Sequence, residues 1–126
     1  MDKKKLLLIE DDAATRNLYK EVLEEANFLV DAAGDGKEGL RMALEGGYDL
    51  LIIDIMLPRV DGLTIMSELN KTQPRRPNGK IFILTNLEHD EVVNQGMKLG
   101  AIGYLVKSDI NPDKLVEKIN DYFDHK

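Results

Sequence analysis

The side chains that could do chemistry are carboxylates, one hydroxyl and one amine, each at the end of an apolar run. Glu10-Asp11-Asp12 follows Leu6-Leu7-Leu8-Ile9, and Asp54 follows Leu50-Leu51-Ile52-Ile53. Thr85 follows Ile81-Phe82-Ile83-Leu84, and Lys107 follows Tyr104-Leu105-Val106. A carboxylate directly behind four large apolar residues is costly to desolvate unless a cation sits near it. Asp54 therefore needs a partner, which Lys107 or a metal could supply. Glu10, Asp11 and Asp54 offer oxygen ligands only, with no Cys in the chain and no His close by in sequence. That donor set suits Mg²⁺ or Mn²⁺ rather than zinc. One metal, one ammonium and one hydroxyl around a carboxylate oxygen form a setting for an incoming phosphoryl group. The cations would neutralise its oxygens and the carboxylate would attack.

Each residue alone has a plainer reading. Asp11 or Asp12 could cap a helix, a role Asp favours. Thr85 could be an ordinary strand end and Lys107 a solvated loop lysine. The weight lies in their convergence, which depends on the elements that carry them. None of the four runs alternates with polar residues, so each reads as a strand buried on both faces of a parallel sheet. A weaker run, Phe28-Leu29-Val30, supplies a fifth. Helical patterns lie between: Leu18, Tyr19, Val22, Leu23 and Ala26 form one stripe, and Gly36 to Leu44 a second helix stopped by Gly46-Gly47. Leu63, Met66 and Leu69 mark a third after Asp61-Gly62; a fourth runs from about Glu88 to Leu99 with Gly100 as its cap. The fifth opens at Asn111-Pro112 and buries Leu115, Val116, Ile119, Tyr122 and Phe123. Strand and helix alternating five times argue for a doubly wound α/β sheet with right-handed crossovers. In such a sheet ligands bind outside the carboxyl ends of the strands, where all of these polar residues fall.

Length and charge narrow the function. The 126 residues make one domain of ordinary size. A net charge of −6 is a poor match for nucleic acid or an anionic membrane, so neither is expected as a partner. The lack of Cys removes disulfides, thiolate zinc sites and a Cys nucleophile, and suits a reducing compartment. No apolar run exceeds four residues, so neither a membrane span nor a signal peptide is expected. No internal repeat or low-complexity segment is present. The segment from Thr72 to Gly79 reads as a surface loop, with Arg75-Arg76 solvated rather than contacting nucleic acid.

The chain resembles the receiver domain of two-component response regulators over essentially its whole length. The likeness is carried by Leu7-Leu8-Ile9-Glu10-Asp11-Asp12 and by Tyr48 to Gly62, which ends Asp54-Ile55-Met56-Leu57-Pro58-Arg59-Val60-Asp61-Gly62. Ile83-Leu84-Thr85-Asn86 and Gly100-Ala101-Ile102-Gly103-Tyr104-Leu105-Val106-Lys107 complete it. The resemblance implies a flavodoxin-like (βα)5 fold with strand order 2-1-3-4-5, filling residues 1–126 as a single domain with no effector domain in this chain. It implies Asp54 as phosphoacceptor, with Glu10, Asp11, Asp54 and the backbone carbonyl of Met56 as ligands of Mg²⁺, or of Mn²⁺. It assigns Thr85 and Lys107 to the phosphoryl group, and Tyr104 to an aromatic switch that turns inward with Thr85. The donor would be a sensor histidine kinase or phosphotransfer protein in the cytoplasm. An output partner would dock at the face of the fourth helix, fifth strand and fifth helix, with the domain a monomer or weak dimer. The domain would handle only its own phosphoryl group and act as a signal, not an enzyme.

Several positions depart from the family pattern. Ser108 stands where proline, often with a cis bond, usually follows the lysine; a non-proline cis bond costs ~3 kcal/mol, and the sequence leaves the Lys107-Ser108 geometry open. Asn86 replaces a small residue, and Ile102-Gly103 stands where some relatives carry an acidic pair used in dimers. Met56 and Leu87 are the apolar residues expected to flank the water that hydrolyses phospho-aspartate, so slow self-dephosphorylation is expected. His89 and His125 read as surface residues, and Met42, Met66 and Met97 as core fillers. Two other classes compete. A haloacid-dehalogenase-type phosphatase would need an Asp where Met56 stands. A flavin electron carrier would need a phosphate loop where Glu10-Asp11-Asp12 would repel the phosphate.

Overall fold

The computed structural model describes residues 3–86 and 90–124. The elements in order are β1 (Lys5–Ile9), α1 (Ala13–Glu25), β2 (Leu29–Ala33), α2 (Gly36–Glu45) and β3 (Leu50–Asp54). They continue as α3 (Gly62–Lys71), β4 (Lys80–Thr85), α4 (Asp90–Lys98), β5 (Gly103–Val106), a 3-10 turn (Lys107–Asp109) and α5 (Pro112–Asp124). The strands form one sheet in the order β2-β1-β3-β4-β5, with every pairing parallel. This is the doubly wound, flavodoxin-like arrangement that the sequence leads one to expect.

The uninterrupted apolar runs follow from two-sided burial. Along β1, Leu6 and Leu8 enter the core beneath α1 and α5, while Leu7 and Ile9 enter the opposite core beneath α2 and α3. β3 divides the same way, with Leu50 and Ile52 on one side and Leu51 and Ile53 on the other. None of these eight side chains is more than 1% exposed, so each is near the full value of about 1.5–3 kcal/mol for burying a large aliphatic.

Helix starts are set by side chains that satisfy orphan amides. Asp12 accepts from Thr15 N–H at 2.8 Å, Asp35 from Glu38 at 2.9 Å, Asp61 from Thr64 at 2.8 Å and Asn111 from Lys114 at 2.8 Å. The helix-cap reading of Asp12 therefore holds. α2 ends on Gly46, whose φ of 77° and close approach to Arg76 leave no room for a side chain. The loop of residues 72–79 is largely exposed, yet it is tied down: Arg75 N–H bonds Leu44 O at 2.7 Å, and Gly79 N–H bonds Tyr48 O at 2.7 Å.

Some expectations need correction. β2 begins at Leu29, and Phe28 precedes it, buried with its ring centroid 5.8 Å from that of Phe123. Leu18 is 45% exposed, because α1 buries Tyr19 and Leu23 and turns the adjacent position outward. β5 is an edge strand, so Tyr104 is exposed while Leu105 is buried. Met97 is likewise exposed on α4, whereas Met66 is a core residue. The described peptide bonds, including Lys107-Ser108, are all trans. His89, His125 and the start of the fourth helix at Glu88 lie outside the described residues. No described helix is long and apolar enough to cross a membrane.

Candidate functional site

Sheet register brings the polar residues to one edge. Ile9 pairs with Ile53, Asp54 with Leu84, and Thr85 with Val106, so four strands end nearly level. Glu10, Asp54, Thr85 and Lys107 emerge there from β1, β3, β4 and the turn after β5. Among the described residues, the buried polar side chains are Glu10, Asp54 and Thr85. A protein interior tolerates such groups only when they are paired, and here all three lie at the same edge.

Lys107 is the hub. Its ammonium donates to Asp54 Oδ2 at 2.6 Å and lies 2.5 Å from Glu10 Oε1. Asp54 Oδ1 accepts the Met56 N–H at 2.9 Å, and Glu10 Oε2 accepts the Asp12 N–H at 3.0 Å. Glu10 Oε1 has the Lys107 ammonium as its one partner among the described residues. Burial pushes the Glu10 carboxyl above its usual range, and the charge of Asp54 adds to that; the Lys107 and Asp12 hydrogen bonds only partly offset it. Burial alone would lower the Lys107 ammonium, but its bonds to Asp54 and Glu10 outweigh that and leave it raised.

Asp11 is exposed beside this buried group. Carboxylate oxygens of Glu10, Asp11 and Asp54 lie within 4.8 Å of one another. Three carboxylates against one ammonium leave a deficit of positive charge. The all-oxygen donor set and that unmatched negative charge fit a hard divalent cation. Tyr104 sits on β5 with its side chain outward, Asn86 is exposed after Thr85, and Met56 is 65% exposed beside Asp54. Leu87 lies outside the described residues. Two features escaped sequence reasoning. One is the bridging of Glu10 by Lys107. The other is Arg16, which reaches back from α1 to the carbonyls of Glu10 and Asp11; a basic residue in the first turns of a helix gives no signal of its own.

Residues 6–120 match the family described as response regulator receiver domain. The chain belongs to that family. Curated proteins similar to this receiver domain include the transcriptional regulatory protein CusR of Escherichia coli (strain K12), 43% identical over 103 residues, which are 82% of this chain and 44% of CusR. ResD of Bacillus subtilis (strain 168) is 30% identical over 115 residues, 91% of this chain and 46% of ResD. The receiver domain thus spans about half the length of the curated relatives it matches. Among solved structures, the CheY-like receiver domain protein of Methanospirillum hungatei JF-1 superimposes with a TM-score of 0.84 at 29% identity, covering 98% of this chain and 95% of that one. The chemotaxis protein CheY4 of Vibrio cholerae gives 0.82 at 27% identity, covering 95% and 98%. Two-component signalling is the business of this family, and the five-stranded order 2-1-3-4-5 is shared with these neighbours.

Proposed function

We propose that this receiver domain takes a phosphoryl group onto Asp54 from the phosphohistidine of a sensor histidine kinase or phosphotransfer protein. One carboxylate oxygen of Asp54 forms the new O–P bond as the P–N bond of phosphohistidine breaks, and the neutral imidazole is left on the donor. The observation that carries this reading is the buried Asp54 carboxylate, held by the Lys107 ammonium at 2.6 Å and the Met56 amide at 2.9 Å at the carboxyl edge of the sheet. Those two contacts fix the acceptor before the donor arrives, which is the positioning that phosphoryl transfer depends on.

Glu10, Asp11 and Asp54, with the Met56 carbonyl, would hold Mg²⁺ or Mn²⁺, which supplies charge against the phosphoryl oxygens. Lys107 then exchanges part of its contact with Asp54 for a phosphoryl oxygen, and the Thr85 hydroxyl donates to another. Tyr104, outward before the reaction, turns toward the space that Thr85 vacates. That change biases the face of α4, β5 and α5 toward an output partner, in the same polypeptide or another. Met56, exposed beside Asp54, is apolar and cannot orient a water, the same is expected of Leu87 from its side-chain type, and Asn86 narrows the opening, so the acyl phosphate decays slowly. The product is a signal rather than a released chemical, so the domain acts as a switch, not an enzyme.

The test is incubation with Mg²⁺ and acetyl phosphate or phosphoramidate, read by intact mass. One phosphoryl group should add to the parent and none to Asp54→Asn. Equal labelling of both proteins would refute the assignment.

A further inference from the structure

Asp11 is the least supported member of the acidic pocket. It is exposed, and no hydrogen bond or ion pair to a described residue holds its carboxylate. Yet a carboxylate oxygen of Asp11 lies within 4.8 Å of those of Glu10 and Asp54. With no side-chain partner, its direction depends on its main chain. The Glu10 carboxylate accepts the Asp12 N–H at 3.0 Å on one side of Asp11, and one further residue contacts the main chain on both sides.

That residue is Arg16. Its own N–H bonds Asp12 O at 2.8 Å inside α1, which anchors the root of the side chain. Its Nη1 then reaches back and donates to the Glu10 carbonyl at 3.0 Å and, more loosely, to the Asp11 carbonyl at 3.4 Å. These two carbonyls belong to the peptide planes before and after Asp11. A peptide unit is planar, so restraining both planes restrains the two soft dihedrals of Asp11 and thereby its Cα–Cβ direction. The guanidinium has room because residue 34, just beyond β2, is glycine. A Cβ there would meet Arg16 Nη1 at 3.0 Å and Cζ at 3.4 Å. The end of β2 also ties down the turn itself, since Ala33 O accepts the Glu10 N–H at 3.1 Å.

We propose that Arg16, seated over Gly34, is a positioning residue that aims the Asp11 carboxylate into the pocket and so sets its affinity for a divalent cation. The inference rests on the reading of Glu10, Asp11 and Asp54 as a metal site. It makes a prediction opposite in sign to simple electrostatics. A guanidinium near the pocket repels a cation, so removing its charge should tighten binding if charge were its only effect. Removing an aiming contact should weaken binding instead.

The experiment is a MgCl₂ titration followed by amide chemical shifts of the pocket residues in the parent, Arg16→Gln, Arg16→Lys and Gly34→Ala. Metal-free urea melts of each protein run alongside. Arg16→Gln should bind Mg²⁺ about tenfold more weakly, the lower end of what loss of an outer-shell partner costs. Arg16→Lys keeps the charge on a shorter stem, without the planar guanidinium that lies over Gly34, and should fall between Gln and the parent. Gly34→Ala retains Arg16 and displaces its guanidinium, so it should weaken binding by a smaller factor; it decides the matter if Arg16→Gln fails to fold. Tighter binding in Arg16→Gln, or parent-like affinity in both Arg16→Gln and Gly34→Ala, overturns the inference and leaves the metal site standing. A parent that shows no Mg²⁺ response overturns the metal reading and this inference with it.

Discussion

The Lys107 ammonium donates to Asp54 Oδ2 at 2.6 Å across 53 positions of sequence, and the same ammonium faces Glu10 Oε1. One cation thus compensates two buried carboxylates contributed by different strands. Lys107→Ala should lower stability at neutral pH by about 1–3 kcal/mol, less than the loss from breaking a fully buried pair because the lysine keeps some solvent access. Mg²⁺ should restore much of the loss. Urea melts with and without the metal check this; a variant as stable as the parent would show that the carboxylates never depended on Lys107.

The acidic cluster makes metal binding a stability measurement as well. Mg²⁺ should raise the melting temperature of the parent, because it relieves repulsion among three carboxylates that lie within 4.8 Å. At a concentration one hundred times Kd the gain is about 2.7 kcal/mol. In Asp11→Ala the metal dependence should vanish while metal-free stability holds or rises. An unchanged Mg²⁺ response in that variant would place the ion elsewhere.

Tyr104 is exposed on the edge strand while Thr85 is buried at the neighbouring strand end. Phosphorylation, or beryllofluoride standing in for the phosphoryl group, should shift the Tyr104 ring resonances together with amides of α4. Thr85→Ala should still accept phosphate yet lose the response at Tyr104. Amide shifts confined to the pocket in the parent would remove the coupling.

Tyr48 offers a pH test away from the site. It is buried, and its hydroxyl donates to Asp31 Oδ2 at 2.8 Å. Burial, and then the hydrogen bond to Asp31, push the phenol up. The folded protein therefore favours the protonated phenol more than the unfolded chain does. The stability this contributes is fully present below the unfolded value of about 10 and is lost as pH rises past it. At pH 8, Tyr48→Phe should cost about 1 kcal/mol, since Asp31 is partly solvated. The gap between parent and variant should narrow above pH ~10. A gap that widens with pH, in paired urea melts, would contradict the pairing.

Much of the fold was legible because local signals agreed with one another. Four-residue apolar runs could be stable only with both faces covered, and Asp12, Asp61 and Asn111 announced helix starts through chemistry that acts within three residues. The misread positions share a cause. Leu18, Met97 and Tyr104 are apolar residues whose exposure depends on which neighbour covers a face, and local sequence does not encode that. β5 looks like the inner strands in sequence but has a neighbour on one side only.

The same division runs through the candidate site. Sequence alone determined which residue types stand at the strand ends, because each acid, hydroxyl or amine directly follows the apolar run that carries it. It also determined that the donors are all oxygen and that a parallel sheet would deliver them to one edge. Only the tertiary structure decided that Lys107 is shared between Asp54 and Glu10, that Asp11 joins them within 4.8 Å, and that Arg16 holds the chain around Asp11. These relationships depend on strand register and on the path of long side chains through space. Register follows from packing both faces of the whole sheet at once, and no local window of sequence contains that.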